Sequence, residues 1–444
     1  MRWVKDIERL LELVKDLIDK GFTLSEILDD ALESCGRLGL SDEFCRRFLG
    51  LLDEELERIR GVEKAEDGLR LRMFAAKAME MQKAGKEVFR LELGEPDFSA
   101  PERAVEAAVQ ALRKGLSKYT SSIGIRELRE AIASKLSEKY GVDLKPDNVA
   151  ITAGGTLATY AAIQVLTKPG DEVMVIDPAW PLYAHQARRF DRRVVKVETS
   201  FEDGWNPVEK IVEKMTKLTK MIILNYPNNP TGKVLDRRSF EKIIEIAEEN
   251  NAWIMSDEVY SDFSYNRRAP SILEYGYERS YYLNSFSKTW GMTGFRVGYV
   301  VADPEIARKV SMAQSTAMTC IPEFVQRAAL AALMDEESAK RNVELVGRRL
   351  KVLYEELSKS RLIDVKPPEG AMYIFPKIRI DGFDSWDFAP KLLEEKGVVV
   401  APGACFGRYD DHLRISAVLD EDRLREAIKR LREGLEEYAE LRGV

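Results

Sequence analysis

The chain has 444 residues, of which 45% are hydrophobic and 32% charged, so it is long enough to bury cores in roughly two or three domains. Its formal net charge of -7 argues against nucleic acid as a main partner, because neutralising phosphates requires a clustered Lys/Arg surface. No run of about 18 apolar residues is present, and residues 1–20 carry acidic side chains in place of a signal peptide. We therefore expect a cytoplasmic protein with no membrane partner.

Two residue types that often build metal sites are scarce. The four cysteines are scattered without a CxxC spacing, which argues against a disulfide framework or a Cys-rich metal site. Only two histidines are present, His185 and His412, so multi-histidine metal binding is not expected. We expect no metal site, and we expect Lys, Tyr, Asp or Glu to carry any proton transfer.

The N-terminal region differs from the rest of the chain. Roughly the first 60 residues have apolar positions at helical spacing, which predicts three amphipathic helices. Thr23 with Glu26 forms a capping-box pattern, and Ser41 precedes the third helix. Acidic residues outnumber basic ones here. We assign residues 1–66 to a helical N-terminal extension.

From Leu91 onward, short β-branched runs alternate with helical patterns, which predicts an α/β fold with a mostly parallel sheet. The predicted strands are 149–152, 172–176, 194–197, 221–224, 253–256, 281–283 and 297–301, and the helices between them include 126–140, 156–167 and 238–249. After Pro304, a long helical stretch leads to an α+β segment with predicted strands 372–375, 398–400 and 413–417.

Ligands of open α/β sheets bind at the carboxyl ends of strands, and three predicted strands end in unusual residues. Gly154, Gly155 and Thr156 open a helix, where free N–H groups favour an anion, although a Gly-Gly pair also suits a tight turn. Asn229 lies in a segment with two prolines that would fix its side chain or simply form a turn. Asp257 ends another strand, with Tyr260 three residues on, and Asp257 would also suit a helix cap.

A fourth strand end contains a lysine among small residues. Lys288 lies in the run SFSKTWGMTGFR (285–296), which follows the strand 281–283 and ends in Arg296. By itself the run is also typical of a solvated loop. Together the four strand ends fit a phosphorylated pyridine aldehyde, in which Lys288 would form an imine and Asp257 would keep the ring nitrogen protonated. The phosphate would be bound by Arg296, Thr156, Ser285 and the Gly155 amide.

Three motifs occur in order: Asn229-Pro-Thr-Gly232, Asp257-x-x-Tyr260 and Ser285-x-x-Lys288-x7-Arg296. On these motifs, the sequence from about Leu91 to Tyr438 resembles the class I and II aminotransferases of fold type I, the pyridoxal-phosphate family that includes aspartate aminotransferase. The resemblance implies a large domain with a mostly parallel seven-stranded sheet at 106–325. It also implies a smaller α+β domain, formed by an N-terminal part at 67–105 and a C-terminal part at 326–444.

The resemblance implies pyridoxal 5′-phosphate as cofactor and assigns residue roles. Lys288 would be the Schiff-base lysine and a general base, Asp257 the pyridinium partner, and Tyr260 a further catalytic residue beside the ring oxygen. The implied cofactor-binding residues are Gly154, Gly155, Thr156, Trp180 stacked on the ring, Asn229, Asp257, Tyr260, Ser285, Lys288, Arg296 and Tyr119, which a neighbouring subunit would lend. The implied substrate-binding residues are Gly94, Trp180, Asn229 and Arg414, which would bind the α-carboxylate.

Plainer roles exist for three of these residues. Trp180 would also suit a core position, Tyr119 a surface aromatic, and Arg414 an ion pair with a buried acid.

We therefore expect a homodimeric transaminase that moves an amino group between an L-amino acid and a 2-oxo acid. One alternative is a pyridoxal-phosphate β-lyase on the same scaffold, but relatives of that branch carry His where Tyr260 stands. A remote alternative is an aminotransferase-like regulatory protein, which would carry a basic helix-turn-helix in place of the acidic extension. Thr156 stands where some aspartate-using relatives carry a lysine, so neutral, aromatic or broad specificity stays open.

Overall fold

A computed structural model describes residues 74–443, which belong to the unit Arg70–Val444. The three predicted N-terminal helices and the extension 1–66 lie outside the described residues. Within residues 74–443, none of the helices combines the length and the apolar character that crossing a bilayer demands.

The main feature of the fold is a seven-stranded sheet in the order β2-β8-β7-β6-β5-β3-β4. Strand β8 runs antiparallel to both of its neighbours, and the other four pairings are parallel. The strands up to the end of this sheet are β1 (Phe89–Arg90), β2 (Val149–Thr152), β3 (Glu172–Asp177), β4 (Arg193–Glu198), β5 (Thr219–Asn225), β6 (Trp253–Asp257), β7 (Ser280–Ser285) and β8 (Gly298–Val301).

The central strands are apolar because the sheet is covered on both faces. Along β5, Ile222 and Leu224 join one hydrophobic core, while Met221 and Ile223 join another. Successive side chains of a strand point to opposite faces, so these two cores lie on opposite sides of the sheet. All seven strands of this sheet were predicted from their β-branched runs, and the predicted α/β class is confirmed.

Within residues 74–443, residues 74–83 form a first helical segment, and twelve further α-helices accompany the strands. The helices are α1 (Glu102–Arg113), α2 (Arg126–Tyr140), α3 (Gly154–Leu166), α4 (Leu182–Arg189), α5 (Val208–Lys214), α6 (Arg237–Glu249), α7 (Phe286–Thr289), α8 (Pro304–Ala317), α9 (Glu323–Leu333), α10 (Glu336–Leu357), α11 (Ser385–Lys396) and α12 (Glu421–Leu441).

The C-terminal α+β segment has its own small sheets and a core separate from the two cores of the large sheet. Its strands are β9 (Ile363–Asp364), β10 (Tyr373–Ile374), β11 (Lys377–Ile378), β12 (Val398–Val399), β13 (Ala401–Pro402) and β14 (Leu413–Ser416). Strand β14 lies between β10 and β13, and β12 pairs with β1 from the start of the described residues. The predicted domain bounds at 105 and 325 stay predictions.

Candidate active site

The site lies where three parallel strands of the large sheet end side by side. Strands β5, β6 and β7 are consecutive in the sheet, with Asn225 paired to Asp257 and Asp257 paired to Leu283. Because parallel strands end at the same edge, the residues that follow them are brought together. The three strand ends after β5, β6 and β7 that were singled out in the sequence therefore meet at one edge.

Lys288 lies on the short helix α7, directly after β7. Ser285 caps this helix by accepting a hydrogen bond from the Ser287 N–H, and the residues around Lys288 are buried, so the segment is not a solvated loop. The Lys288 amine donates a hydrogen bond to the carbonyl oxygen of Gly94 and lies 5.9 Å from the centroid of the Tyr260 ring. The structure thus brings Lys288, Gly94 and Tyr260 together.

Asp257 is a buried carboxylate with an exposed fraction of 4%. The Tyr183 hydroxyl donates a 2.6 Å hydrogen bond to it, and the Val259 N–H donates another at 3.3 Å. Burial raises the pKa of Asp257 to about 6, while these two hydrogen bonds and the charge of Lys288 act in the opposite direction. Residues 259–262 form turns, so Asp257 does not cap a helix.

Arg414 on β14 is buried and lies beside Asn229. Its guanidinium donates a 3.1 Å hydrogen bond to Asn229 Oδ1 and another to the Glu92 carbonyl oxygen. Both acceptors are uncharged, so neither neutralises the guanidinium, and its buried Nε atom has no hydrogen-bond partner. These contacts do not include the buried acid that was an alternative partner, and the charge suits an anionic ligand.

A glycine-lined cradle forms where helix α3 begins. Gly154 has a φ of +75°, and a Cβ atom there would lie 2.8 Å from the Arg296 guanidinium. Arg296 itself takes a left-handed conformation with φ of 51°. Ser285 lies next to Gly155, and half-buried Thr156 follows in the first helical turn. Free N–H groups, a helix N-terminus and a guanidinium are the donors that bind phosphate.

Two residues that were predicted to bind the cofactor, Trp180 and Tyr119, have surroundings that differ from those of Lys288 and Asp257. Trp180 is half-buried, and its ring lies edge-on to Tyr183 with centroids 5.3 Å apart, so it contacts the residue that holds Asp257. Tyr119 has an exposed fraction of 85%, and this chain does not bring it to the site. Its predicted role in a neighbouring subunit stays a prediction.

Three residues of the site were missed in the sequence. Tyr183 holds Asp257, and Asn225 holds Asn229 by accepting its N–H at 3.0 Å. Tyr373 on β10 shares a 2.7 Å hydrogen bond with the Tyr260 hydroxyl. Asn225 could have been found because it opens the same proline-containing segment as Asn229. Nothing in the local sequence distinguished either tyrosine from an ordinary core residue.

The structure combines a mostly parallel α/β sheet with a candidate site around Lys288 at the carboxyl ends of its strands. The sequence pattern of the family described as Aminotransferase class I and II matches residues 86–431, and the chain belongs to that family. The resemblance noted on the three motifs is confirmed.

Individual relatives support the same assignment. The chain is 39% identical over 357 residues to the aspartate aminotransferase of Pyrococcus horikoshii, with 79% of this chain and 91% of that protein covered. It is 36% identical over 359 residues to aromatic-amino-acid aminotransferase 2 of Thermococcus litoralis, with 79% and 92% covered. The crystal structure of Thermotoga maritima aspartate aminotransferase matches with a TM-score of 0.79 at 38% identity, with 83% and 97% covered. The fold type and the aminotransferase function predicted from the sequence are confirmed.

Proposed function

We propose that the protein is a pyridoxal 5′-phosphate-dependent transaminase that moves an amino group between an L-amino acid and a 2-oxo acid in ping-pong fashion. The observation that carries this proposal is the placement of Lys288 beside Gly94 and Tyr260, close enough to buried Asp257 for its charge to lower the pKa of that carboxyl. The uncompensated Arg414 is connected to them through Tyr373, whose ring lies under the guanidinium and whose hydroxyl is hydrogen-bonded to Tyr260.

The residues present fit the cofactor chemically. Asp257 receives its hydrogen bonds from a phenol and a backbone N–H, both neutral, and a protonated pyridine nitrogen would supply the positive charge that a buried carboxylate requires. The cradle at Gly154 and Arg296 would hold the phosphate, and a side chain at position 154 would occupy it. Asn229 and Tyr260 would hold the ring oxygen.

Lys288 and Arg414 carry the substrate chemistry. When bound, pyridoxal phosphate supplies an aldehyde that condenses with amines and a protonated ring that withdraws electrons from the substrate Cα. The Lys288 amine would hold the cofactor and, when free, would remove the proton from the Cα, since it is half-buried beside the Gly94 carbonyl. Arg414 would bind the α-carboxylate through its guanidinium, which Asn229 and the Glu92 carbonyl keep in place.

The proposal includes a homodimer. Tyr119 is exposed in the single chain, and an exposed aromatic residue suits a subunit interface, where it would reach the cofactor phosphate of the neighbour. A mass in solution of two chains supports this part of the proposal, and a single-chain mass contradicts it. The cytoplasmic location stays a prediction.

A panel of amino donors tests the proposed function. Aspartate, glutamate, phenylalanine, tyrosine, alanine and leucine are each incubated with 2-oxoglutarate or pyruvate, and the new amino acid is measured. We expect each productive donor to yield one oxo acid per amino acid formed. Absence of amino transfer from every donor contradicts the proposal. Release of pyruvate from cystathionine or an S-alkyl cysteine without an added oxo acid indicates a lyase instead.

The same panel assigns the donor class. Thr156 offers no positive charge to a second carboxylate, while the relatives compared above are named for aspartate and for aromatic amino acids. A preference for aromatic or neutral donors would agree with Thr156.

A further inference from the structure

Tyr373 contacts both Tyr260 and Arg414 of the candidate site. Its hydroxyl lies 2.7 Å from the Tyr260 hydroxyl, and the two rings meet edge to face with centroids 5.5 Å apart. Both phenols are buried, with exposed fractions of 1% for Tyr373 and 4% for Tyr260. Burial, followed by the neighbouring Tyr373, raises the pKa of Tyr260 well above its usual value, so the Tyr260 phenol keeps its proton.

The same side chain supports Arg414. The Arg414 guanidinium lies over the Tyr373 ring at 4.7 Å from the centroid and over the Phe406 ring at 4.9 Å. Strands β10 and β14 are antiparallel neighbours with Tyr373 paired to Ser416, which makes Arg414 the diagonal neighbour of Tyr373 on the same face. An aromatic face attracts a cation and holds a desolvated guanidinium in one orientation.

Gly94 leaves room for this arrangement. A Cβ atom at position 94 would lie 2.7 Å from the Tyr373 hydroxyl oxygen, closer than a van der Waals contact allows. The Gly94 carbonyl oxygen also accepts a hydrogen bond from the Lys288 amine. Tyr373 therefore contacts Tyr260 and Arg414 and lies against the segment that holds Lys288.

The direction of the hydrogen bond follows from the number of protons. Each phenol has one proton to donate, so Tyr260 can donate to a cofactor ring oxygen only if it accepts from Tyr373. Donation from Tyr373 also strengthens the donation that Tyr260 makes, because chained hydrogen bonds polarise one another.

We propose that Tyr373 is a positioning residue with two separable roles: its hydroxyl directs the Tyr260 proton toward the cofactor ring oxygen, and its ring face orients Arg414 for the substrate carboxylate. This inference rests on the proposed function. The two roles predict different results for removal of the hydroxyl and removal of the ring.

The hydroxyl is tested with Tyr373→Phe, which keeps the ring. Weaker donation by Tyr260 leaves the ring oxygen more basic, so a proton shared with the Lys288 nitrogen is held to a higher pH. We expect the pH midpoint of the visible absorbance change of the cofactor-loaded protein to rise by roughly a few tenths of a unit, less than in Tyr260→Phe, because Tyr260 keeps its own hydrogen bond and loses only the strengthening that Tyr373 gives it. Tyr277→Phe, which removes a partly buried hydroxyl bonded to the Ala252 carbonyl at 2.6 Å, is the matched control and leaves the midpoint unchanged.

A double-mutant cycle shows whether the effect passes through Tyr260. If Tyr373 acts on the cofactor only through that phenol, Tyr260→Phe with Tyr373→Phe has the same midpoint as Tyr260→Phe alone. Additive shifts overturn the proposed role of the hydroxyl, and so does an unchanged midpoint in Tyr373→Phe.

The ring is tested with Tyr373→Leu. Binding of maleate and of 3-phenylpropionate, two carboxylates without an amino group, is measured from absorbance changes. We expect the dissociation constants to rise about fivefold over those of Tyr373→Phe, as loss of a cation–π contact implies. Equal constants in the Phe and Leu variants overturn the role of the ring. Thermal unfolding shows whether Tyr373→Leu is folded, and Tyr373→Phe tests the hydroxyl in either case.

The outcomes separate this inference from the proposed function. A wild-type protein that takes up no pyridoxal phosphate and transfers no amino group overturns both. A wild-type protein that binds the cofactor and transaminates, with Tyr373 variants identical to it in midpoint and carboxylate binding, overturns the Tyr373 inference alone.

Discussion

The Tyr183 hydroxyl lies 2.6 Å from Asp257 Oδ2, and both side chains are buried below the carboxyl end of β6. Burial raises the pKa of Tyr183 well above its usual value, so the phenol is the proton donor in this pair. Donation to the carboxylate lowers the pKa of Asp257 against the larger opposing effect of burial. Tyr183 therefore helps to keep Asp257 ionised.

Removal of this hydrogen bond is expected to shift the pH dependence of activity. In Tyr183→Phe, the pKa of Asp257 rises, so the carboxylate is protonated at a higher pH and the acidic limb of kcat/KM moves upward by about one unit. Profiles of kcat/KM against pH for the wild type and the variant measure the shift. The control is Tyr281→Phe, which removes another buried hydroxyl, bonded at 2.9 Å to the Ala158 carbonyl. An acidic limb that stays in place contradicts the role assigned to Tyr183.

Asp257 is expected to destabilise the cofactor-free protein at neutral pH. The pKa of Asp257 in the folded state is about 6, above the ordinary 3.8, so the unfolded chain ionises this carboxyl at a lower pH than the folded protein does. The stability that the neutral carboxyl allows is therefore fully present below about pH 4 and is lost as the pH rises through 6. Asp257→Asn carries no charge to bury. We expect this variant to exceed the wild type by up to about 3 kcal/mol in unfolding free energy at pH 8, and by less at pH 5.

Urea unfolding of the cofactor-free proteins at the two pH values measures this difference. Asp381→Asn, at an exposed position, is the control and changes neither value. The same Asp257→Asn protein is expected to lose transamination, since an amide cannot pair with a protonated ring nitrogen. A variant less stable than the wild type at pH 8 would mean that the carboxylate is compensated without the cofactor.

Lys288→Ala is expected to abolish both turnover and the visible absorbance of the lysine-bound cofactor. Loss of the base alone accounts for about two to four orders of magnitude in rate. Lys288→Arg keeps a positively charged hydrogen-bond donor near the Gly94 carbonyl oxygen. An arginine cannot act as a base near neutral pH, so this variant should be equally inactive. Lys340→Ala, on the exposed face of α10, is the surface control. Turnover at the wild-type rate in either position-288 variant contradicts the assignment.

Arg414→Ala is expected to raise KM for every amino donor by about 10- to 100-fold, because it removes a charge-assisted contact worth roughly 1.5–3 kcal/mol. Steady-state kinetics on the best donors of the panel measure the effect. Arg408→Ala, which removes an exposed arginine 3.7 Å from Glu198, is the matched control. An unchanged KM in Arg414→Ala would show that another residue binds the carboxylate.

The central strands of the large sheet could be predicted because they are buried on both faces and form continuous apolar runs, as in 221–224. Asp257 and Lys288 could be predicted as site candidates because each lies at the end of a strand, Asp257 as the last residue of β6 and Lys288 in the short helix that follows β7. Tyr183 and Tyr373 could not, since their partners are 74 and 113 residues away in the chain. A tyrosine in an apolar stretch looks like core until folding places its hydroxyl beside another polar group.

An ion pair between a buried arginine and a half-exposed aspartate anchors the segment that carries Gly94. Arg349 on α10 forms two hydrogen bonds with Asp97, at 2.6 and 2.9 Å, and the side chains have exposed fractions of 6% and 40%. Asp97→Ala leaves a buried guanidinium without its partner and should cost about 3–5 kcal/mol of unfolding free energy. Arg349→Met leaves only a half-exposed carboxylate and fills the same space with an apolar chain, so it should cost less.

Urea unfolding of the two variants and of the double variant measures the asymmetry. Because Met no longer needs a partner, the double variant should recover much of the stability that Asp97→Ala loses. Arg348→Met, which removes an exposed arginine 3.6 Å from Glu421, is the neighbouring control. A larger cost for Arg349→Met than for Asp97→Ala would show that the packing of the arginine stem, and not the unpaired charge, dominates at this position.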